Sequence, residues 1–229
     1  MRDITLVMIR HSKSCANHVR DIAGTHDLSH PLVAESQQIR DPALSAHGQA
    51  MARAYGPRLR ERLHRAGVPL EGPTVLIGSS GLQRACDTAK LLFPDVGSPL
   101  HHFPHIKEFG NIPENTPARL RRDRPDFRAF LRHLHDLPQS TFIVVAHGSF
   151  LRSEAWPIVS PRRPNHARFG NLDAFLVRTS LTEDGRLVRP RTMDLSWSGR
   201  KPTGGDRCSR RVERLVALHS RRTRKRQHK

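Results

Sequence analysis

Two histidines in this chain stand directly after compact apolar runs. The first run, Ile4-Thr5-Leu6-Val7-Met8-Ile9, ends in Arg10-His11-Ser12; the second, Thr141-Phe142-Ile143-Val144-Val145-Ala146, ends in His147-Gly148-Ser149. Imidazole has an unperturbed pKa of about 6.5 and is nucleophilic when neutral. His11 could therefore attack phosphorus and carry the phosphoryl group covalently. Arg10 and Arg84 offer planar forks matched to phosphate oxygens, and His147 adds donors. Together these groups would stabilise negative charge spread over the equatorial oxygens, with no metal and no other cofactor called for. Glu108 could protonate the leaving oxygen and then deprotonate water; nearby Glu114 is the alternative acid. Ser14 and Asn17 are close enough in sequence to His11 to add neutral hydrogen bonds.

Such a set works only if strand ends gather it. Runs apolar at every position are the mark of strands buried on both faces of a largely parallel sheet, and open α/β sheets bind ligands at the carboxyl ends of their strands. Pro73–Gly78 is a further strand of this kind, and Ser79-Ser80 leads from it into a helix over about 81–93, with Leu82, Ala85, Ala89 and Leu92 as its buried stripe. Arg84 lies off that stripe, near the helix start, and can reach back over the strand ends.

The rest of the chain supplies the remaining layers. Ser45 is a candidate N-cap for a helix that Gly56-Pro57 should bend or break. Residues 18–41 read as loop with a short helical turn. A weaker strand is expected over 99–103 and a helix over 117–137, disturbed by Pro125. A helix over 150–159, a strand over 171–177 and a hairpin partner over 187–195 follow. The expected fold is α/β: a three-layer α/β/α sandwich with a mostly parallel central sheet, occupying residues 1–200.

The chain has 229 residues and a formal net charge of +18. That balance favours anionic partners and says nothing about fold. From Lys201 onward arginines and lysines dominate, so residues 201–229 read as a basic, partly disordered tail with a short helix allowed by Val212, Leu215, Val216 and Leu218. The tail could bind polyanions or serve nuclear import, or merely solubilise; no aromatic residues interleave it for base stacking. Cys15, Cys86 and Cys208 are scattered and form no CxxC, which suggests neither a disulfide framework nor a zinc site. His101, His102 and His105 read as a solvated strand edge, because no cysteine or carboxylate cluster completes a metal site. With no signal segment and no apolar run of membrane-spanning length, a cytoplasmic protein in a reducing compartment is the simpler reading.

Four ordered motifs carry a family resemblance. They are Arg10-His11-Ser12 with Asn17; Asp41, Leu44, Ser45 and Gly48; Ser79-Ser80-Gly81-Leu82-Gln83-Arg84-Ala85-Cys86-Asp87-Thr88-Ala89; and Val145-Ala146-His147-Gly148. The set resembles the histidine phosphatase superfamily, with its phosphoglycerate-mutase-like fold. The resemblance implies His11 as the phosphorylated nucleophile, Arg10, Arg84, Asn17 and His147 as phosphate ligands, and Glu108 as general acid. It implies hydrolysis of a phosphate ester, on a phosphorylated small molecule or a phosphoprotein. Ser12 replaces the usual glycine of the first motif and places a Cβ where the backbone closely approaches phosphate. Two other readings stand beside this one: a phosphomutase of the same family, whose Trp-Asp element is absent between Asn17 and Asp41, and a catalytically weak phosphate- or polyanion-binding module.

Overall fold

A computed structural model of the chain describes residues 1–229 except 26, 96–99, 111, 116–123, 161–168, 197–205, 211 and 219–229. Six strands form one sheet: β1 (Arg2–Arg10), β2 (Val75–Ser79), β3 (His101–His102), β4 (Thr141–Ala146), β5 (Ala174–Leu181) and β6 (Leu187–Asp194), in the order β3-β2-β4-β1-β5-β6. The first four in that order run parallel, and β5 and β6 are antiparallel additions at one side. The expected three-layer α/β/α architecture is present.

The sheet explains why its central strands are apolar throughout. From β1, Leu6 and Met8 enter one core with Phe142, Val144 and Phe150, while Val7 and Ile9 enter a second with Ile143, Val145, Met51 and Leu59. Each fully buried side chain of this kind contributes about 1.5–3 kcal/mol. The first core is closed by α5 (Phe127–Asp136) and by α6 (Gly148–Phe150), a π-helical turn (Leu151–Ala155) and α7 (Trp156–Val159). The second is closed by α3 (Ala46–Arg65) and α4 (Gln83–Leu92).

Several local expectations change. Residues 18–41 hold two helices, α1 (Cys15–Ala23) and α2 (Pro31–Gln37). Ser14 and Asn17 form a reciprocal capping box at the start of α1, and Gly24, with φ of 65°, ends it in the left-handed region that glycine tolerates. Pro57 does not break α3, which runs unbroken for 20 residues. Pro57 lies on the exposed side, where water can take up the carbonyl it leaves without a donor. The helix expected over 117–137 is helical only from Phe127. Asp126 caps it at the Ala129 N–H, so Pro125 precedes the helix; 117–123 lie outside the described residues. The strand expected over 99–103 is reduced to two residues, and that over 171–177 begins at Ala174.

The largest correction concerns cysteine. Cys15 and Cys208 form a disulfide across a separation of 193 residues, while Cys86 is buried outside any disulfide. Spacing along the chain carries no trace of a pair that only folding brings together. Cysteine usage therefore does not point to a reducing compartment. The bond draws part of the basic C-terminal stretch onto the domain. Residues 212–218 are helical, and Val212 packs with Cys15, Val19 and Leu32 in a third small core. Asp206 pairs with Lys13 at 3.0 Å and accepts the His47 N–H at 3.1 Å. Among the described residues no helix is long and apolar enough to cross a membrane.

Candidate functional site

The sheet places His11, Ser80 and His147 side by side. Arg10 is in register with Ala146, and Ser79 with Val145. The ladder continues one bond further, with His11 N–H donating to Ala146 O at 3.0 Å and Ser80 N–H to Val145 O at 3.2 Å. The His11 and His147 rings are 5.1 Å apart between centroids, and both residues are buried.

His11 is held in one tautomer. Its Nδ1 lies 2.6 Å from Ser12 O. A carbonyl only accepts, so Nδ1 carries the proton and Nε2 keeps its lone pair. Burial, and then the neighbouring Arg84 and Arg10, hold the His11 pKa well below the ordinary imidazole value. The ring is therefore neutral and nucleophilic at Nε2. Burial followed by Arg84, His11 and Arg10 does the same to His147.

Ser12 spends its polar groups on the protein. Its Oγ donates to Gly48 O at 2.7 Å, its N–H donates to Thr88 Oγ1 at 3.0 Å, and its carbonyl accepts the His11 Nδ1–H. Its φ is not positive, since the only non-glycine residues with positive φ are Asp41, Leu172 and Arg189 among those described. Serine thus fits the position without backbone strain, and its hydroxyl ties the strand end to the start of α3. Gly48 itself has no room for a side chain: a Cβ there would lie 2.0 Å from Lys13 O.

The arginines arrive from two elements. Arg10 is the last residue of β1; its Nη1 donates to Phe169 O, while its Nε is buried with no hydrogen-bond partner among the described residues. Its guanidinium crosses Gly148, where a Cβ would come within 2.9 Å of Nε, which explains the small residue after His147. Arg84, in the first turn of α4, is buried; Nη1 donates to Glu114 O at 3.0 Å and Nη2 to Asn115 Oδ1 at 2.8 Å. Burial lowers both guanidinium pKa values, and nearby acids counter it: Glu108 and Asp173 for Arg10, Glu114 and Glu108 for Arg84.

The two candidate acids are placed differently. Glu114 is buried and ion-paired to Arg20. Glu108 is half-buried, and its Oε1 accepts from Ser149 Oγ and from Phe109 N–H. Asn17 belongs to the α1 capping box, and its Oδ1 also lies 3.5 Å from Asn171 Nδ2. Asn171 Nδ2 donates to His11 O at 3.0 Å.

Sequence reasoning missed Arg20, Ser80 as a partner of His147, Thr88, Asn115, Ser149 and Asn171. Ser80 and Thr88 stood inside a recognised motif; the others act through long-range contacts with no local signature. Among the described residues no three His, Cys, Asp or Glu side chains are grouped to hold a metal ion.

The family model of the histidine phosphatase superfamily (branch 1) matches residues 6–137. Among solved structures, the chain is similar to a mycobacterial glucosyl-3-phosphoglycerate phosphatase, with 20% identity, 86% of this chain and 100% of that one covered, and a TM-score of 0.55. It is similar to a protein described as mycobacterial hydrolase 1, with 20% identity, coverage of 86% and 98%, and a TM-score of 0.51. A phosphoserine phosphatase from Entamoeba histolytica shares 16% identity over 82% of this chain and 94% of its own, with a TM-score of 0.50. At these identities the likeness is one of fold. No curated protein matches the chain in sequence.

Proposed function

The chain belongs to the histidine phosphatase superfamily, and from that premise we propose that it hydrolyses a phosphate monoester in two steps through a phosphohistidine on His11. The observation that carries this reading is the His11 Nδ1 to Ser12 O hydrogen bond, which leaves a neutral Nε2 beside the buried Arg84 and the half-buried Arg10. In the first step the Nε2 lone pair forms a bond to phosphorus and the bond to the ester oxygen breaks. Glu108 gives its proton to that oxygen, and the alcohol departs. In the second step Glu108 takes a proton from water, the oxygen attacks phosphorus, and the P–N bond breaks to release inorganic phosphate. Arg10, Arg84 and His147 bear the charge on the equatorial oxygens throughout.

Glu108 is preferred over Glu114 because the Glu114 carboxylate is taken by Arg20. The Ser149 hydroxyl holds Glu108 in place and belongs to the same turn as His147. A phosphorylated small molecule or a phosphoprotein is the substrate class; the excess of positive charge, +18, favours one with further anionic groups.

The test is turnover of p-nitrophenyl phosphate by wild type and His11→Ala, with an alkaline denaturing quench during turnover. Wild type should yield acid-labile phosphate on His11, and His11→Ala should lose hydrolysis by at least about 10³-fold. Undiminished hydrolysis by His11→Ala would refute the nucleophile. Rapid interconversion of phosphoglycerates, with little release of phosphate, would make the enzyme a mutase instead.

A further inference from the structure

Ser80 and His147 follow neighbouring parallel strands, β2 and β4, and so meet beside His11. Ser80 Oγ lies 2.6 Å from His147 Nε2, and both residues are fully buried. The same hydroxyl accepts the Leu82 N–H at 3.3 Å. The other ring nitrogen, Nδ1, is buried and has no hydrogen-bond partner among the described residues.

A neutral imidazole has one N–H, and the hydrogen bond at one nitrogen decides which of the two carries it. Suppose Nε2 held the proton. Ser80 Oγ would then receive two donors, its own O–H would need a further acceptor, and Nδ1 would present a lone pair. A lone pair beside phosphate oxygens is repulsive. With the proton on Nδ1 these conflicts vanish. The Ser80 hydroxyl donates to Nε2 and accepts from Leu82, each once, and Nδ1–H remains as a donor with no acceptor among the described residues. An anion held by Arg10 and Arg84 supplies that acceptor. Burial keeps a second proton off the ring, so the choice of tautomer decides what His147 can do.

We propose that Ser80 is a positioning residue: its hydroxyl donates to His147 Nε2, holds the ring as the Nδ1–H tautomer, and thereby makes His147 a donor to bound phosphate. The identity of that acceptor rests on the phosphatase reading; the tautomer does not, because it exists without turnover.

The test uses the full chain with ¹⁵N-labelled histidine. The chain has 15 histidines, so the His147 signals are assigned by their loss in His147→Gln. In wild type, Nδ1 should be protonated and Nε2 bare. Ser80→Ala should lose that preference, bind inorganic phosphate at least about fivefold more weakly, and lose kcat on p-nitrophenyl phosphate by about 10-fold or more. Ser80→Thr, which keeps the hydroxyl, should restore tautomer, phosphate affinity and turnover together. An Nε2–H tautomer in wild type would overturn the proposal even if no variant could be folded. So would a Ser80→Ala protein with unchanged tautomer and unchanged phosphate affinity. A wild type that has the stated tautomer and binds phosphate, yet hydrolyses no ester, would support the role of Ser80 and refute the phosphatase reading.

Discussion

His11, Ser80 and His147 stand just past the ends of three parallel strands, and backbone ladders set their spacing. On the α1 side of His11 the construction is different. There α1, α2, the turn that holds Glu114, and residues 206–210 and 212–218 are joined by the Cys15–Cys208 disulfide, the Lys13–Asp206 and Arg20–Glu114 ion pairs, and a small core around Val19, Leu32 and Val212. The strand ends are fixed many times over, because each ladder bond supports the next and both sheet faces are filled. The α1 side depends on a few individual pairs. The contrast teaches that the reactive geometry and the surface beside it can be perturbed separately, except where a residue belongs to both.

Arg84 is that residue, and changing it should have the largest effect. It extends from α4 beside the strand ends, and the loop that holds its guanidinium is the one whose Glu114 pairs with Arg20. Arg84→Gln should lower kcat/KM on p-nitrophenyl phosphate by about 10²–10³-fold, the usual loss for one preorganised donor to developing charge. A loss below about threefold, with the protein folded, would remove Arg84 from the phosphate site and break the link between the two regions.

Cutting the disulfide tests the other side. Cys208→Ser should destabilise the chain by about 2–4 kcal/mol, which on a domain of this size lowers Tm by about 2–4 °C for each kcal/mol. Dithiothreitol should do the same to wild type and nothing to the variant. Because the ladders under His11 do not pass through Cys208, kcat should stay within about twofold. A large fall in kcat would show that the strand ends need the clamp. An unchanged Tm would show that the ion pairs and the third core suffice without it.

The same contrast governs what could be read from the sequence. The strand-end site was legible because its signals are local. Apolar runs mark buried strands, the residue after each run falls at the sheet edge, and the Ser79–Ala89 motif sets Arg84 at the start of its helix. The α1 side was illegible for the opposite reason. Cys15 and Cys208 are 193 residues apart, and Arg20 meets Glu114 only after folding. The capping box at Ser14 and Asn17 was a local signal for α1 and could have been used; the polar composition of 18–41 obscured it. Ser12 falls between the two cases. Its place in the motif was plain, but only the structure shows its hydroxyl spent on Gly48 O.

Acid separates the two regions by a route that needs no substrate. His11 and His147 both have folded pKa values well below the ordinary imidazole value, from burial first and from the adjoining arginines second. Unfolded, each titrates at about 6.5. Between the folded and unfolded values the unfolded chain binds more protons, so stability rises with pH and is lost as pH falls below about 6.5. Each histidine adds a slope of up to about 1.4 kcal/mol per pH unit. The Asp206 carboxyl is also lowered, because hydrogen bonds from Ser45, Lys13 and His47 outweigh its burial. Its contribution, however, is lost only when acid reaches its unfolded value of about 3.9 and falls toward the folded one. Urea midpoints measured from pH 8 to pH 5 should therefore fall in wild type and equally in Cys208→Ser. His147→Gln should fall less steeply, by up to one histidine's slope. An identical slope in His147→Gln would show that this imidazole is not held neutral, and a flatter slope in Cys208→Ser would show that the clamp shares in the titration of the strand ends.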